Sequence, residues 1–183
     1  MQKPMRISVI LVALLVNNAF AAPAAPNDEM DKFLSDKGLL GQIEQVRQTV
    51  TNKASELVVN AFSFLGVPYR RGGNNSETGF DCSGFVRAMY QQTVGLILPR
   101  KAEQQAAATE KIEKSDLQPG DLVFFNTMRR AFSHVGIYVG GGKFIHSPKP
   151  GSEVRVEDMG QSYWTHRFDG ARRVNASQAQ AAD

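Results

Sequence analysis

The chain has 183 residues, enough for one domain with short extensions and a core of useful size. Its composition, 42% hydrophobic and 21% charged, is typical of a globular protein. The formal net charge is +3, but Lys3 and Arg6 fall in a segment that we expect to be removed, which leaves 19 basic and 18 acidic residues. This near-neutral balance, with no dense Lys/Arg run, excludes nucleic acid as an expected partner.

The first 21 residues have the pattern of a secretory signal peptide. Two positive charges precede an apolar run from Ile7 to Val16, and Ala19-Phe20-Ala21 forms a small-x-small cleavage site. The apolar run is too short to span a bilayer comfortably. We therefore expect residues 1–21 to be cleaved, which leaves a periplasmic or secreted protein with no membrane span. An uncleaved anchor is the alternative.

Helical signals dominate the first half of the chain. Apolar residues recur every three or four positions from Ile43 to Leu65, and Gly66 and Pro68 then stop the pattern. Residues 69–80 are rich in Gly, Asn and Ser and predict a loop. Two shorter helices are predicted, from Cys82 to about Gln92 or Thr93 with Asp81 as N-cap, and from Lys101 to about Ala108.

The second half changes to the alternation of β-strands. The predicted strands are Asp121–Phe125, Val135–Val139, Lys143–His146, Val154–Val156 and Arg172–Val174. Helices followed by an antiparallel sheet predict an α+β domain. We assign it to residues 53–175, after a linker and N-terminal helical extension over residues 22–52 and before a disordered tail over residues 176–183.

Cys82 is the only cysteine of the chain. An exported protein normally pairs its cysteines, so a single one invites a functional explanation. Cys82 lies at a predicted helix start, where the helix dipole favours a thiolate and can lower a cysteine pKa from about 8.5 to about 3.5–7.5. Ser83 and Gly84 are small enough for close backbone approach, and free first-turn N–H groups can hold an oxyanion. We predict a nucleophile; an inert buried thiol and a redox sensor are the alternatives.

Two of the three histidines flank one predicted hairpin. If residues 140–142 form a three-residue loop, His146 lies opposite Gly136, and His134 is a diagonal neighbour on the same face, about 7–8 Å away. A two-residue loop would separate the rings, so an odd-length loop is predicted. His134 would then be the base and His146 its orienting partner. Gly136 would leave room for the rings.

A metal site built from Cys82, His134 and His146 is a different interpretation of the same residues. Cysteine and histidine suit zinc, but the closely spaced ligand pairs of structural zinc sites are absent from the sequence. We therefore expect no metal and no cofactor. The third histidine, His166, is expected to be structural or to lie at the rim of a groove.

Six blocks of sequence, in order, resemble those of the NlpC/P60 cell-wall peptidases. The blocks lie at residues 66–73, 79–86 (with the signature D-C-S-G-F-V), 98–100, 119–125, 134–138 and 144–146. The similarity covers about residues 53–175. It implies a papain-like α+β fold in which N-terminal helices pack on a central antiparallel β-sheet.

The resemblance also implies roles for individual residues. The family's catalytic trio corresponds to Cys82, His134 and His146. Its oxyanion-hole tyrosine corresponds to Tyr69, and the residues flanking the nucleophile, Asp81 and Ser83, are expected to line the substrate site. The chain departs from the family where a serine often follows the L-P-R block. That residue is Lys101 here, which puts capping of the next helix in doubt.

The expected function is therefore that of an exported cysteine endopeptidase acting on peptidoglycan stem peptides or their crosslinks. The scissile bond would join D-alanine to diaminopimelate, which the C-terminal block over residues 163–174 favours, or γ-D-glutamate to diaminopimelate. Arg70 and Arg71 are candidate contacts for substrate carboxylates, because guanidinium binds carboxylate bidentately; a solvated loop is the alternative.

Two other functions are compatible with parts of this pattern. One is a catalytically silent peptidoglycan-binding or regulatory protein on the same fold, which the intact trio disfavours. The other is an amidase or acyltransferase on a related scaffold, which the order of the blocks disfavours. We expect a monomer that binds stem peptides, and a regulatory adaptor or protease is a candidate partner because a wall-cutting enzyme requires restraint.

Overall fold

The computed structural model describes residues 39–175. The chain divides into two compact units, residues 1–44 and 45–183. The predicted signal peptide and C-terminal tail lie outside the described residues. Within residues 39–175, no helix has the length and apolar character needed to cross a membrane.

The described residues form four α-helices and a six-stranded sheet. The helices are α1 (Leu39–Phe62), α2 (Cys82–Val94), α3 (Ala102–Ala107) and α4 (Ser162–Thr165). The strands of the main sheet are β3 (Glu110–Ile112), β4 (Leu122–Phe125), β5 (His134–Gly140), β6 (Lys143–His146), β7 (Arg155–Asp158) and β8 (Phe168–Arg173). They lie in the order β3-β8-β4-β5-β6-β7, and each neighbouring pair is antiparallel. This arrangement confirms the predicted α+β class.

Helix α1 ends three residues earlier than the apolar pattern predicts. Leu57 and Ala61 are buried, but Phe62 and Leu65 are exposed. The chain leaves the helix because Gly66 adopts a φ of 83° and donates its N–H to Val154 O at 3.0 Å instead of to a helical carbonyl. The helix is continuous across residues 52 and 53, the predicted boundary between the N-terminal extension and the main domain.

Helix α2 follows its sequence signals at both ends. The carboxylate of Asp81 accepts the N–H of Gly84 at 2.8 Å, as an N-cap does. At the other end Gly95, with φ of 76°, donates its N–H to Tyr90 O. Helix α2 packs on β5 and β6, which brings its first residue, Cys82, to the sheet.

Strand β4 is buried on both faces of the sheet, which explains its continuous apolar run. Leu122 and Phe124 belong to the core between α2 and the sheet. Val123 and Phe125 belong to a second, smaller core on the opposite face, which also contains Phe144, Met159 and Trp164.

The loop of the β5–β6 hairpin is shorter than predicted, but the two histidines still lie on one face as predicted. Gly140 pairs with Lys143, so the turn contains two residues rather than three. A bulge at Val139 then shifts the register by one residue, and Tyr138 pairs with Phe144. The bulge restores the parity that the shorter turn would have destroyed, so His134 and His146 still share a face.

Several short elements were not predicted from the sequence. The edge strand β3 is mostly exposed and polar, so it carries no apolar alternation. Two residue pairs within the predicted loop form a small separate hairpin of β1 (Asn74–Asn75) and β2 (Gly79–Phe80). Helix α4 is a single turn, too short to show a helical period.

Candidate active site

The Cys82 sulfur lies among backbone N–H groups at the start of α2. The N–H groups of Cys82 and Ser83 point to it from the helix, and the N–H of Val135 points to it from β5. Val135 directly follows His134, so Cys82 contacts the backbone of β5, the strand that carries His134. The side chain of Cys82 is partly buried against the α2 core.

Burial reverses the expected effect of the helix terminus on the thiol. Burial first, and the neighbouring carboxylate of Asp81 second, together raise the pKa of Cys82 to about 11, against the lowering effect of the three backbone N–H groups. The expectation of a depressed pKa is therefore wrong for this state of the protein. Cys82 is a neutral thiol at neutral pH because desolvation outweighs the helix N-terminus.

Arg100 holds the segment that carries Cys82. Its guanidinium donates to both oxygens of Asp81, at 2.9 and 2.6 Å, and to Ser83 Oγ at 3.0 Å. Gly72 N–H completes the carboxylate's partners at 2.9 Å. Asp81, which the resemblance places along the substrate site, is thus engaged in a bidentate ion pair with Arg100 beside Cys82, and Ser83 accepts a hydrogen bond from the same guanidinium.

Close backbone packing explains the glycine after Ser83. A Cβ added to Gly84 would lie 2.0 Å from Gly73 O, so only glycine lets the loop pack on α2. Gly73 is equally restricted, since its Cβ would lie 2.2 Å from Gly79 O. Gly84 therefore serves loop packing, and the predicted approach of substrate to its backbone stays a prediction.

His134 and His146 are joined by a hydrogen bond of 2.6 Å between His134 Nε2 and His146 Nδ1. Both rings are buried, with 3% and 0% of their surface exposed. Gly136 makes the approach possible, because a Cβ there would lie 2.6 Å from the Phe144 ring and 3.1 Å from His146 Cβ. The predicted pairing of the histidines and the predicted role of Gly136 are both confirmed.

Aromatic rings enclose the histidine pair. The indole of Trp164 stacks on His134, with ring centroids 5.7 Å apart, and meets His146 edge-on at 5.2 Å. Phe144 packs against His146 at 4.6 Å. This burial lowers the pKa of both histidines, and that of His134 well below 6.5, because a charged imidazolium is poorly solvated there.

The carboxylate of Glu157 lies beside the histidine pair, close to His146. Glu157 Oε2 lies 3.7 Å from His146 Nε2, and the same carboxylate is bound by Arg155 and by the indole N–H of Trp164. These contacts, that of His146 first, lower the pKa of Glu157 to about 2, so it is ionised at neutral pH. The carboxylate in turn raises the pKa of both histidines, against the larger effect of their burial.

Tyr69 lies near Cys82 and also lines a surface cavity. Burial raises its pKa, and so do the charges that Cys82 and Asp81 can carry, so its phenol lies near both. Its backbone N–H donates to Ser152 O at 2.7 Å. The cavity has a volume of about 440 Å³ and is lined by Pro68, Tyr69, Gly151, Ser152, Glu153 and Arg155.

A model of the NlpC/P60 family matches residues 66–173, an interval that contains every residue of this site. The chain belongs to the NlpC/P60 family. Among solved structures, an NlpC/P60 family protein from Bacillus cereus is similar with a TM-score of 0.61 and 35% identity, over 66% of this chain and 39% of that one. The NlpC/P60 domain of the peptidoglycan hydrolase SagA gives a TM-score of 0.59 and 36% identity, over 66% of this chain and 98% of that one. These likenesses confirm the predicted family fold.

Curated relatives are named as enzymes of cell-wall chemistry. Murein DD-endopeptidase MepH of Escherichia coli is 41% identical over 138 residues, which are 73% of this chain and 51% of that protein. Gamma-DL-glutamyl hydrolase of Bacillus subtilis is 42% identical over 120 residues, which are 65% of this chain and 29% of that protein. The chain thus spans about half or less of the length of these relatives.

Sequence reasoning missed two residues of this NlpC/P60 site. Arg100 was noted only as part of a motif block. Glu157 was missed because the predicted strand stopped at Val156. Had that strand been extended, alternation would have placed Glu157 on the same face as Arg155, the register partner of His146.

The other predicted contacts lie at the periphery of the site. Arg70 and Arg71 are exposed, so the structure leaves them as candidate contacts. His166 is exposed and its Nδ1 bonds to Ser162 O at 2.7 Å, a structural contact at the C-terminal end of α4. Lys101 cannot cap α3, and the side chain of Gln104 instead accepts the Lys101 N–H at 3.3 Å.

Proposed function

We propose that this NlpC/P60 protein is an exported cysteine endopeptidase that hydrolyses peptidoglycan stem peptides or their crosslinks. The observation that carries the proposal is the meeting of a lone thiol at a helix N-terminus with the strand of a buried histidine pair. The signal-peptide pattern of residues 1–21 supports export to the periplasm or beyond the cell. Stem peptides are the proposed partner, and the protein is proposed to act as a monomer.

The proposed triad is Cys82, His134 and His146. Because His134 Nε2 is engaged by His146, His134 Nδ1 remains as the nitrogen that can take the proton of the thiol. Cys82 and His134 are both neutral at rest, so proton transfer accompanies the attack of sulfur on the substrate carbonyl. Hydrogen bonds between catalytic groups are often long before the substrate binds, and they commonly shorten in the complex.

The remaining steps follow the chemistry of thiol hydrolases. Attack on the amide carbonyl gives a tetrahedral oxyanion, for which the N–H groups of Cys82 and Ser83 and the phenol of Tyr69 are the proposed donors. The N–H groups of Gly84 and Phe85 already donate to Asp81, so they are not proposed as oxyanion donors. His134 then protonates the leaving amine, and water, deprotonated by His134, releases the acyl group from sulfur.

The cavity beside Tyr69 is the proposed site for the stem peptide. It offers a carboxylate from Glu153 and a guanidinium from Arg155, which suit the mixed charges of a peptide that carries a diamino acid. We favour the D-alanine–diaminopimelate crosslink as the bond that is cut. The MepH similarity covers more of this chain than the γ-DL-glutamyl hydrolase similarity does.

Mass spectrometry of purified crosslinked peptidoglycan, incubated with the protein lacking residues 1–21, tests the proposal. Conversion of crosslinked dimers to monomers assigns a D,D-endopeptidase, and release of L-Ala–D-Glu assigns a γ-D-glutamyl endopeptidase. The Cys82→Ala variant should form neither product, and it should still bind the substrate. Binding by both proteins without any Cys82-dependent product would overturn the proposal in favour of a silent wall-binding protein.

A further inference from the structure

The Nε2 atom of His146 has an unusual environment for a buried polar group. It is shielded from solvent and has no hydrogen bond within normal distance. Glu157 Oε2 lies 3.7 Å from it, too far for a hydrogen bond but within the range of an ion pair. A buried N–H left facing a carboxylate at this distance needs only a small movement to become a charge-assisted hydrogen bond.

Glu157 is held in this position from two sides. Arg155, two residues earlier on β7, binds Oε1, with its Nε at 2.5 Å. The indole N–H of Trp164 on α4 binds Oε2, the oxygen that faces His146. The carboxylate is thus aimed at the histidine pair by two donors on different elements. Arg155 also lines the cavity beside Tyr69, so the clamp on Glu157 borders the proposed substrate site.

We propose that Glu157 is a positioning residue that extends the triad to the sequence Glu157–His146–His134. This inference rests on the proposed function, because Glu157 acts on the reaction only through His146. It fixes the orientation of the two imidazoles and stabilises the positive charge that His134 acquires when it takes the thiol proton.

The hydrogen-bond directions support one arrangement of protons. If His146 Nε2 carries the hydrogen that faces Glu157, His146 Nδ1 is an acceptor. His134 Nε2 must then be the donor in the 2.6 Å bond, which leaves His134 Nδ1 free to accept a proton. The opposite arrangement would place a lone pair of His146 against an ionised carboxylate. A carboxylate at position 157 therefore selects the tautomer that lets His134 act as a base.

The groups around the pair come from β4, β6, β7 and α4, and those of β4 and β6 are the uncharged rings of Phe125 and Phe144. Beside the two imidazoles, the charged groups that act on them among the described residues are Glu157 and Arg155 of β7, while α4 contributes the neutral indole of Trp164. Glu157 raises the pKa of both rings and Arg155 lowers that of His146. Removal of the carboxylate should therefore lower both histidine pKa values.

The test compares Glu157→Gln, Glu157→Asp and Asp158→Asn with the wild-type protein. Glutamine keeps the shape and an acceptor for Trp164 but removes the charge. Aspartate keeps the charge on a shorter side chain. Asp158 is the next residue of β7 and is exposed, so its substitution removes the same charge away from the histidines.

For Glu157→Gln we expect kcat to fall by about tenfold to a hundredfold with little change in KM, the size of effect seen when the outer partner of a metal-bound histidine is removed. The acidic limb of the pH–rate profile should move to lower pH, because His134 loses the charge that raises its pKa. Glu157→Asp should recover part of both changes, and Asp158→Asn should match the wild type.

NMR titration of the His134 and His146 ring signals gives a readout that needs no activity. Both pKa values should fall in Glu157→Gln and stay unchanged in Asp158→Asn. Unchanged histidine pKa values in a folded Glu157→Gln protein would overturn the inference. Absence of Cys82-dependent cleavage by the wild type would instead overturn the proposed function, while the titration would still decide whether Glu157 acts on the pair.

Discussion

The two halves of the candidate site are held by different forces. On the helix side, an ion pair between Arg100 and Asp81, with backbone hydrogen bonds from a glycine loop, fixes the residues around Cys82. On the sheet side, His134 and His146 lie among Trp164 and phenylalanine rings. The first half is polar and partly open to solvent, and the second is aromatic and buried.

This difference assigns a separate task to each half. The polar frame can hold a backbone turn in place while water and substrate reach Cys82, because its ion pair tolerates partial exposure. The aromatic enclosure keeps both histidines neutral, since burial lowers their pKa. Stability of the site should therefore depend most on the aromatic side, and alignment of the nucleophile on the polar side.

The largest effect on stability is expected for Trp164→Ala. Trp164 is 5% exposed and contacts both histidines, so its removal leaves a cavity and should lower the free energy of unfolding by about 3–5 kcal/mol. Urea denaturation followed by circular dichroism measures the change. Tyr163→Ala is the control. Because Tyr163 is 48% exposed, its removal should lower the free energy of unfolding by about 1 kcal/mol or less. Equal losses in the two variants would contradict the special role of the aromatic enclosure.

A smaller loss is expected for Arg100→Ala, which leaves Asp81 without its bidentate partner. We expect about 1–3 kcal/mol of destabilisation and a marked loss of cleavage, because the turn before Cys82 loses its anchor. The chain offers a matched control in the Arg173–Asp121 pair, where the guanidinium also binds both carboxylate oxygens, at 2.9 and 2.7 Å.

Arg173→Ala should lose comparable stability and keep the cleavage activity of its folded fraction. The two variants are compared by thermal unfolding and by cleavage assays well below their melting temperatures. If both variants lose cleavage in proportion to stability, Arg100 has no role beyond that of any partly exposed ion pair.

The third prediction concerns the charge of Cys82, and it involves no change in the stability of the protein. Because burial raises its pKa to about 11, alkylation by iodoacetamide should accelerate with pH across the whole neutral range. Cys82 is the only cysteine, so mass spectrometry of the intact protein follows its reaction alone. A rate that is already constant from about pH 5 to pH 8 would show a thiolate paired with an imidazolium, and would contradict the neutral pair described here.

Local signals predicted much of the fold. Helix α2 begins and ends where an N-cap candidate, Asp81, and a left-handed glycine, Gly95, stand in the sequence. The core strands β4, β5 and β6 were found because their residues are apolar over most of their length. The edge strand β3 was missed, since its pairing with β8 is the only feature that makes it a strand.

The sequence pointed to Cys82, His134 and His146 as candidates for the site, but it missed Arg100 and Glu157 and the contacts that connect them to these candidates. The histidine pairing was right although the loop length was wrong, because the bulge at Val139 compensated for the shorter turn. A bulge of this kind depends on the pairing of two strands and has no signature in either one. Glu157 reaches His146 only through the register of β6 and β7, and Trp164 holds it from another element.

The sequence by itself determined which groups are available: one thiol at a helix start, two histidines flanking a hairpin, and the blocks that place the chain in the NlpC/P60 family. The tertiary structure decided the state of those groups. It set the pKa of Cys82 upward and those of His134 and His146 downward, and it brought Glu157 behind the pair. The reason is physical, since a residue's chemical type is local, whereas its solvation and its charged neighbours depend on parts of the chain that meet only after folding.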